Sequence, residues 1–139
     1  MLLTQLQLPA RLNRLFQIAY GVALAGPGTC GRNKDSYRLG AIIYDSKTIL
    51  AAGCNSYITH PYLARYTEYP FKHAEAAALL ALGKYHSQDK KMIVVRVRRD
   101  GHIANASPCK ELCLPMIEDF GIREVQYTMD TGIGQIICR

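Results

Sequence analysis

The sequence predicts an α/β domain in which a mixed β-sheet is covered by helices. Two features of the 139-residue chain lead to this fold class: a helix and a β-hairpin open it, and helices then alternate with strands. Two strands separated by a helix are normally parallel, whereas the strands of a hairpin are antiparallel, so the sheet is expected to be mixed. The length fits a single domain, 1–139, and we find no internal repeat or linker that divides it.

The first half of the chain is predicted to form a helix, a hairpin and a long loop. Apolar residues recur at steps of three and four over residues 10–25, the period of an amphipathic helix, and Gly26 follows it. Two short apolar runs, 39–44 and 48–54, flank a polar turn and therefore indicate a β-hairpin. Residues 55–72 have no clean period, so we expect a loop, whose unusual length indicates a pocket wall.

The second half alternates helices and strands. An Ala- and Leu-rich stretch predicts a helix over 74–85, and a β-branched run predicts a strand over 92–97. The Asp100-Gly101 pair marks a turn after that strand. The remaining elements are a helix closed by Gly121, a strand and a candidate last strand, over residues 111–120, 124–128 and 133–138.

The composition is that of an ordinary globular domain, with 49% apolar and 20% charged residues. No apolar run approaches the ~20 residues of a membrane-spanning helix, and the start lacks the pattern of a secretory signal. We therefore expect no membrane partner and a cytoplasmic location. The five cysteines are odd in number and irregularly placed, so thiols or metal ligands are expected instead of disulfides. The net charge of +6 favours anionic partners, although a solvated basic surface explains it equally well.

Residues with metal-binding chemistry occur at two predicted helix starts. His73 lies just before one helix, and Cys109 and Cys113 lie at the start of the next. One imidazole and two thiolates suit tetrahedral Zn²⁺ and leave its fourth position open for water, which is typical of a catalytic site. Each residue alone has a commoner structural role, so the prediction depends on their joint occurrence. Glu75, two positions after His73, is placed to carry protons at the metal without ligating it.

The pattern His73-Ala74-Glu75 followed by Pro108-Cys109 and Cys113 resembles the zinc-dependent cytidine and deoxycytidylate deaminase superfamily, whose signature is H-x-E and then P-C-x-x-C. The element order over 10–128 is similar as well. The resemblance implies a three-layer α/β/α sandwich with a five-stranded mixed sheet. It implies that His73, Cys109 and Cys113 hold Zn²⁺, that Glu75 is the catalytic acid and base, and that hydroxide displaces ammonia from a base.

The resemblance also implies substrate contacts. It assigns Asn55, at the end of the hairpin, to the sugar or base, and the main chain of Ala74 and Ser107 to the pyrimidine edge. His60 in the long loop is a candidate substrate contact, with a local hydrogen-bonding role as an equal alternative. The tyrosines of that loop are candidates for stacking, but a surface role is favoured for each one singly: Tyr57, Tyr62, Tyr66 and Tyr69.

Two features depart from the family pattern. The cysteines are spaced C-x-x-x-C, with one extra residue, but a four-residue step on a helix keeps Cys109 and Cys113 on one face. Pro115 cannot donate to a helix ladder, so we expect the regular helix to start near Leu114 with Pro115 in its first turn. Both departures are compatible with ligation.

The predicted function is hydrolytic deamination of a cytosine nucleotide, dCMP or a close relative, to the uracil product. A histidine as first ligand resembles the deoxycytidylate and nucleic-acid-acting branches, and the basic charge fits a phosphate-bearing substrate. One alternative is a deaminase of cytidine or adenosine in single-stranded nucleic acid or tRNA, for which Arg96, Arg98 and Arg99 offer a basic groove. An alternative of another class is a non-catalytic, zinc-stabilised binding module. The resemblance further implies a homo-oligomer.

Overall fold

The apolar periods of the sequence become helices and strands close to the predicted positions. The computed structural model of the protein describes residues 1–26, 38–68 and 71–138. Helix α1 (Ala10–Ala25) covers the predicted range and buries its apolar stripe, which includes Phe16. Among the described helices, none has the length and hydropathy needed to cross a membrane.

The sheet is mixed, as its sequence predicts. Strand β1 (Arg38–Asp45) lies between β2 (Thr48–Cys54) and β3 (Lys91–Val97) and is antiparallel to both. Strand β5 (Glu124–Met129) is parallel to β3, and β6 (Gly132–Ile137) returns antiparallel to β5. The strand order is β2-β1-β3-β5-β6, which gives the predicted five strands.

A sixth strand and a short helical turn are additions to the predicted elements. Strand β4 (Ile103–Ala104) pairs with the end of β3, and two residues are too few to show a sequence period. The predicted loop over 55–72 contains a 3₁₀ turn, Pro61–Arg65, and is closed by an isolated bridge between Thr59 and Phe71. The described part of this loop therefore has a defined conformation, held by its own backbone hydrogen bonds.

Helices cover both faces of the sheet. Helix α1 packs on β1 and β3, while α2 (Ala74–Leu82) packs on β1 and β2 from the other side and contacts α4 (Cys113–Asp119). Because successive strand residues point to opposite faces, each face has its own buried cluster. Phe16 packs in one cluster, and Leu79 packs in the other. The three-layer α/β/α sandwich is confirmed.

Gly53 explains how closely α2 approaches the hairpin. A Cβ at this position would lie 2.5 Å from the Ala78 nitrogen and 2.8 Å from the Ala74 carbonyl oxygen, so only glycine fits. The first turn of α2 therefore lies directly against the end of β2. This contact brings Asn55, just after β2, to the same place as the start of α2.

Two helix boundaries differ from the predicted ones. Helix α2 ends at Leu82 and not near residue 85, because Gly83 adopts a φ of 90° and breaks the ladder before the short helix α3 (Lys84–Ser87). Helix α4 begins at Cys113 and not at residue 111, with Pro115 in its first turn, where no intrahelical N–H bond is needed. The expectation about Pro115 is therefore confirmed.

Candidate functional site

Three candidate ligand atoms converge where α2 and α4 begin. The Cys113 Sγ lies 3.2 Å from the His73 Nδ1, and the Cys109 Sγ lies 3.7 Å from the same nitrogen. All three ligand atoms lie within 4.8 Å of one another. His73 is the extended residue that caps α2, and Cys113 is the first residue of α4. Contact between these two helices brings together residues that are 36 and 40 positions apart in sequence.

The four-residue spacing of the cysteines forms one tight turn before α4. The Leu114 N–H donates to the Cys109 carbonyl oxygen at 2.9 Å, and the Cys113 N–H donates to the Cys109 Sγ at 3.3 Å. Both sulfurs thus lie on the same side of the turn. The extra residue relative to the family pattern is accommodated by winding, and both thiols remain beside His73.

The sulfur atoms polarise one another strongly. A hydrogen bond from Cys113 lowers the pKa of the Cys109 thiol to about 3, while the same bond and burial raise the pKa of Cys113 well above its usual range. The hydrogen bond to Cys109 also raises the pKa of His73. Of the two thiols, Cys109 is therefore the one that ionises more readily. A soft dication neutralises such a donor set, and one nitrogen with two sulfurs fits Zn²⁺ with a fourth position open.

Glu75 is a buried carboxylate beside these ligands. Its side chain is only 2% exposed, and among the described residues its Oε1 has no hydrogen-bond partner. Burial raises the pKa of this carboxyl. A buried polar atom without a partner is costly, and it commonly marks a place where a ligand or water completes the bonding.

A cleft of about 370 Å³ opens onto this group, and Glu75, His73 and Cys109 line it. The predicted substrate residues Asn55, Ala74 and Ser107 line it too. Further lining residues are Leu39, Ser56, Tyr57, Phe71, Lys72, Arg96, Asn105 and Ala106. Sequence reasoning linked neither Lys72 nor Asn105 to the site, although each lies within four residues of a predicted ligand. A search of the ligands' flanking residues would have found both.

The predicted substrate residues are held in defined orientations. The Asn55 Oδ1 accepts from the Leu39 N–H at 2.9 Å, so the buried amide is tied to β1. The Ser107 N–H donates to the Asn105 Oδ1 at 2.9 Å, so a ligand contact from the Ser107 main chain would have to use its carbonyl. Ala74 is the first residue of α2, and a helix leaves the N–H of that position without an intrahelical partner.

Other residues of the long loop lie elsewhere. His60 caps the 3₁₀ turn, with its Nδ1 accepting from the Tyr62 N–H at 3.1 Å, and it does not line the cleft. His60 therefore makes the local hydrogen bond, one of its two expected roles, and its contact with substrate stays a prediction. Tyr57 lines the cleft, whereas Tyr62 and Tyr66 pack toward α4, and Tyr69 lies outside the described residues.

Solved structures with a similar fold exist at low sequence identity. The apo crystal structure of dCMP deaminase from the cyanophage S-TIM5 matches with a TM-score of 0.60 and 24% identity, over 90% of this chain and 87% of that one. The same enzyme in complex with dCMP and dUMP matches with a TM-score of 0.56 and 23% identity, over 87% and 83% of the two chains. RibD of Acinetobacter baumannii matches with a TM-score of 0.53 and 18% identity, over 84% of this chain but 27% of that chain. These similarities show the fold.

Comparison with known sequences gives the family directly. No curated protein matches the chain. The family model described as the cytidine and deoxycytidylate deaminase zinc-binding region matches residues 13–129, which include the His73, Cys109 and Cys113 cluster. The match covers most of the chain and agrees with both the three-layer fold and the donor set. This protein is therefore a member of the cytidine and deoxycytidylate deaminase family that carries the zinc-binding region.

Proposed function

We propose that this protein is a zinc-dependent hydrolase that converts the cytosine of a nucleotide of the dCMP type to uracil and releases ammonia. The observation that carries this proposal is the buried Glu75 Oε1, which has no partner among the described residues and borders the cleft beside three zinc-type ligand atoms. A binding module stabilised by zinc has no need of an unpartnered carboxylate in that position. A proton-transferring enzyme requires one.

In the proposed mechanism, His73, Cys109 and Cys113 hold the ion. When bound, zinc supplies a Lewis acid that makes water nucleophilic at neutral pH. The Glu75 carboxylate takes a proton from the attacking water and delivers it to the ring nitrogen, and a second transfer protonates the leaving amine. The oxygen of water becomes the carbonyl at C4 and the amino group departs as ammonia, so cytosine and water give uracil and ammonia.

The remaining cleft residues orient the base and sugar. The main-chain N–H of Ala74 and the carbonyl of Ser107 would hold the pyrimidine edge, and Asn55 would contact the sugar. Lys72 and Arg96 add two cations to the lining, which supports a substrate that carries phosphate. The S-TIM5 enzyme was solved with dCMP and dUMP, which supports the same substrate class.

The test measures ammonia release and uracil formation by the zinc-loaded protein. The substrates are dCMP, deoxycytidine and single-stranded DNA that contains cytosines, each at two salt concentrations. We expect turnover of dCMP. Activity on the polymer alone, falling with salt, would replace the nucleotide assignment by the nucleic-acid alternative. Absence of turnover on all three of these substrates would favour the non-catalytic module. We also propose that residues 1–139 form a single domain, that the protein is cytoplasmic and that it assembles as a homo-oligomer.

A further inference from the structure

A second basic depression adjoins the zinc cleft. It has a volume of about 410 Å³ and is lined by Arg96, Arg98, Arg99 and Asp100. Arg96 is in the lining of both depressions, so the two lie next to each other at this residue. A ligand in the zinc cleft that extends past Arg96 would enter the second depression.

The turn that carries the outer two arginines is well anchored. The Arg98 N–H donates to the His102 carbonyl at 2.8 Å, and the Gly101 N–H donates to the Arg98 carbonyl at 2.9 Å. The Tyr20 hydroxyl donates to the Gly101 carbonyl at 3.1 Å, which ties the turn to α1. Arg96 is fixed at its backbone, where its N–H donates to the Thr128 Oγ1 at 3.1 Å. Hydrogen bonds therefore fix the backbone from which the three arginine side chains extend.

Positive charge predominates in this depression. Its lining has three guanidinium groups and one carboxylate, and that carboxylate, Asp100, accepts from the His102 N–H at 3.0 Å. Arg98 also pairs with Asp130 at 3.4 Å, but both side chains are more than half exposed, so the pair is weak. A guanidinium has five N–H donors, so one contact with Asp130 does not prevent Arg98 from binding an anion. The planar fork of arginine matches phosphate oxygens well.

We propose that this depression is a second phosphate subsite, with Arg96 at the junction and Arg98 and Arg99 as the outer contacts. The inference rests on the proposed function, because the base must occupy the zinc cleft for its phosphates to reach the arginines. The ligand is then a pyrimidine nucleotide with phosphate beyond its first. Either a 5′-polyphosphate or a neighbouring phosphodiester of a single strand supplies that group.

The test measures binding of three uracil-containing products to the zinc-loaded protein by calorimetry, so that turnover does not interfere. The ligands are dUMP, dUTP and a trinucleotide with deoxyuridine between two thymidines. We expect dUTP or the trinucleotide to bind at least about tenfold more tightly than dUMP, the effect of one charge-assisted hydrogen bond. Tighter binding of dUTP alone identifies the polyphosphate, and tighter binding of the trinucleotide alone identifies the strand.

Paired variants assign the effect to this depression. The double variant Arg98→Gln/Arg99→Gln should reduce the tenfold preference to about twofold or less. For the trinucleotide it should also reduce the slope of log affinity against log salt by about 0.7 for each lost phosphate contact. A matched control, Arg14→Gln/Arg123→Gln, removes two positive charges elsewhere and should retain the preference. Thermal unfolding of both variants verifies that they fold.

Two results would overturn the subsite. One is equal affinity for dUMP, dUTP and the trinucleotide; the other is a preference that both double variants reduce equally. Turnover of dCMP, dCTP and the matching deoxycytidine trinucleotide is measured in parallel. Turnover with no second-phosphate preference rejects the subsite alone, whereas absence of turnover rejects the proposed function.

Discussion

The two faces of the sheet differ in the kind of side chain that they bury. On the α1 face, buried side chains such as Phe16, Ile42 and Ile93 pack on one another. On the face covered by α2 and α4, the same kind of packing lies around Cys109, Cys113 and the buried Glu75, whose Oε1 has no hydrogen-bond partner among the described residues. Burying such groups opposes folding. The α1 face is therefore mainly apolar packing, whereas the opposite face also holds potentially reactive groups within its apolar packing.

Of the changes considered, replacement of a metal-ligating side chain should have the largest effect. It should affect only the face of the sheet that α2 and α4 cover. We expect Cys113→Ser to reduce zinc from about one ion per chain to a small fraction of that and to abolish deamination, because two protein ligands hold zinc poorly. Elemental analysis after gel filtration measures the loss. Cys138→Ser is the matched control, since this half-buried cysteine is not in the ligand cluster, and should keep its zinc. Full zinc content in Cys113→Ser would contradict the assignment.

Glu75→Gln separates chemistry from metal binding. We expect deamination to fall by about 10²- to 10⁴-fold, the usual contribution of a general acid and base. Zinc content should stay unchanged, and the free energy of unfolding should not fall, because a neutral amide is less costly to bury than a carboxylate. Ammonia release and urea unfolding measure both. The control Glu124→Gln removes a carboxylate paired with Lys91 and should leave the rate intact. A Glu75→Gln rate above a tenth of wild type would exclude the proposed role.

Phe16→Ala tests the apolar face. Phe16 is fully buried in α1, so its truncation should lower the free energy of unfolding by about 3–5 kcal/mol. Zinc per folded chain should not change, because the cavity opens on the face away from the ligands. Leu24, which is 45% exposed on the same helix, provides the control: Leu24→Ala should cost no more than about 0.5 kcal/mol. Equal losses in the two variants would contradict the division between the faces.

Tyr66→Phe should have the smallest effect, at the join between the long loop and α4. The Tyr66 hydroxyl donates to the Asp119 Oδ2 at 2.7 Å, and its loss should cost about 1 kcal/mol. Burial and this hydrogen bond raise the pKa of Tyr66 above its ordinary value of 10.0. The unfolded tyrosine therefore ionises first, so this contribution is complete below pH 10 and decreases at higher pH.

Unfolding free energies between about pH 8 and about pH 11 should decline less steeply in Tyr66→Phe than in wild type. Tyr85→Phe is the control, because Tyr85 is 84% exposed, and it should follow the wild-type profile. Parallel profiles for all three proteins would show that the Tyr66 bond adds no stability.

Most of the fold was predictable because its elements are long enough to show an apolar pattern. Helix α1 follows from apolar residues at steps of three and four, and strands β1, β2 and β3 follow from short apolar or β-branched runs. Strand β4 was not predictable, since two residues have no period and pairing with β3 defines it. The end of α2 at Leu82 depends on the backbone of Gly83, which a helical pattern of side chains does not report.

The site divides in the same way. His73, Glu75, Cys109 and Cys113 were identified by residue type and spacing, because metal chemistry restricts which side chains can serve. The positions of His60 and Arg96 could not be predicted in this way. The position of His60 depends on the path of a loop, and that of Arg96 depends on which depressions are adjacent in the folded chain. His60 was expected either to contact substrate or to make a local hydrogen bond, and the structure shows it capping a 3₁₀ turn. Arg96 was assigned to a groove, and it lines the zinc cleft as well.

By itself, the sequence determined the α/β class, the mixed sheet, the three candidate metal ligands and the candidate Glu75 beside them, since periodicity and ligand chemistry are local properties of the chain. Tertiary structure alone decided that α2 and α4 meet so that ligands far apart in sequence lie within 4.8 Å. It also decided that Glu75 is buried with an Oε1 that has no hydrogen-bond partner among the described residues, and that Arg96 lines two neighbouring depressions. Burial and adjacency depend on how helices pack across the sheet, and a single chain's residue order does not contain that information explicitly.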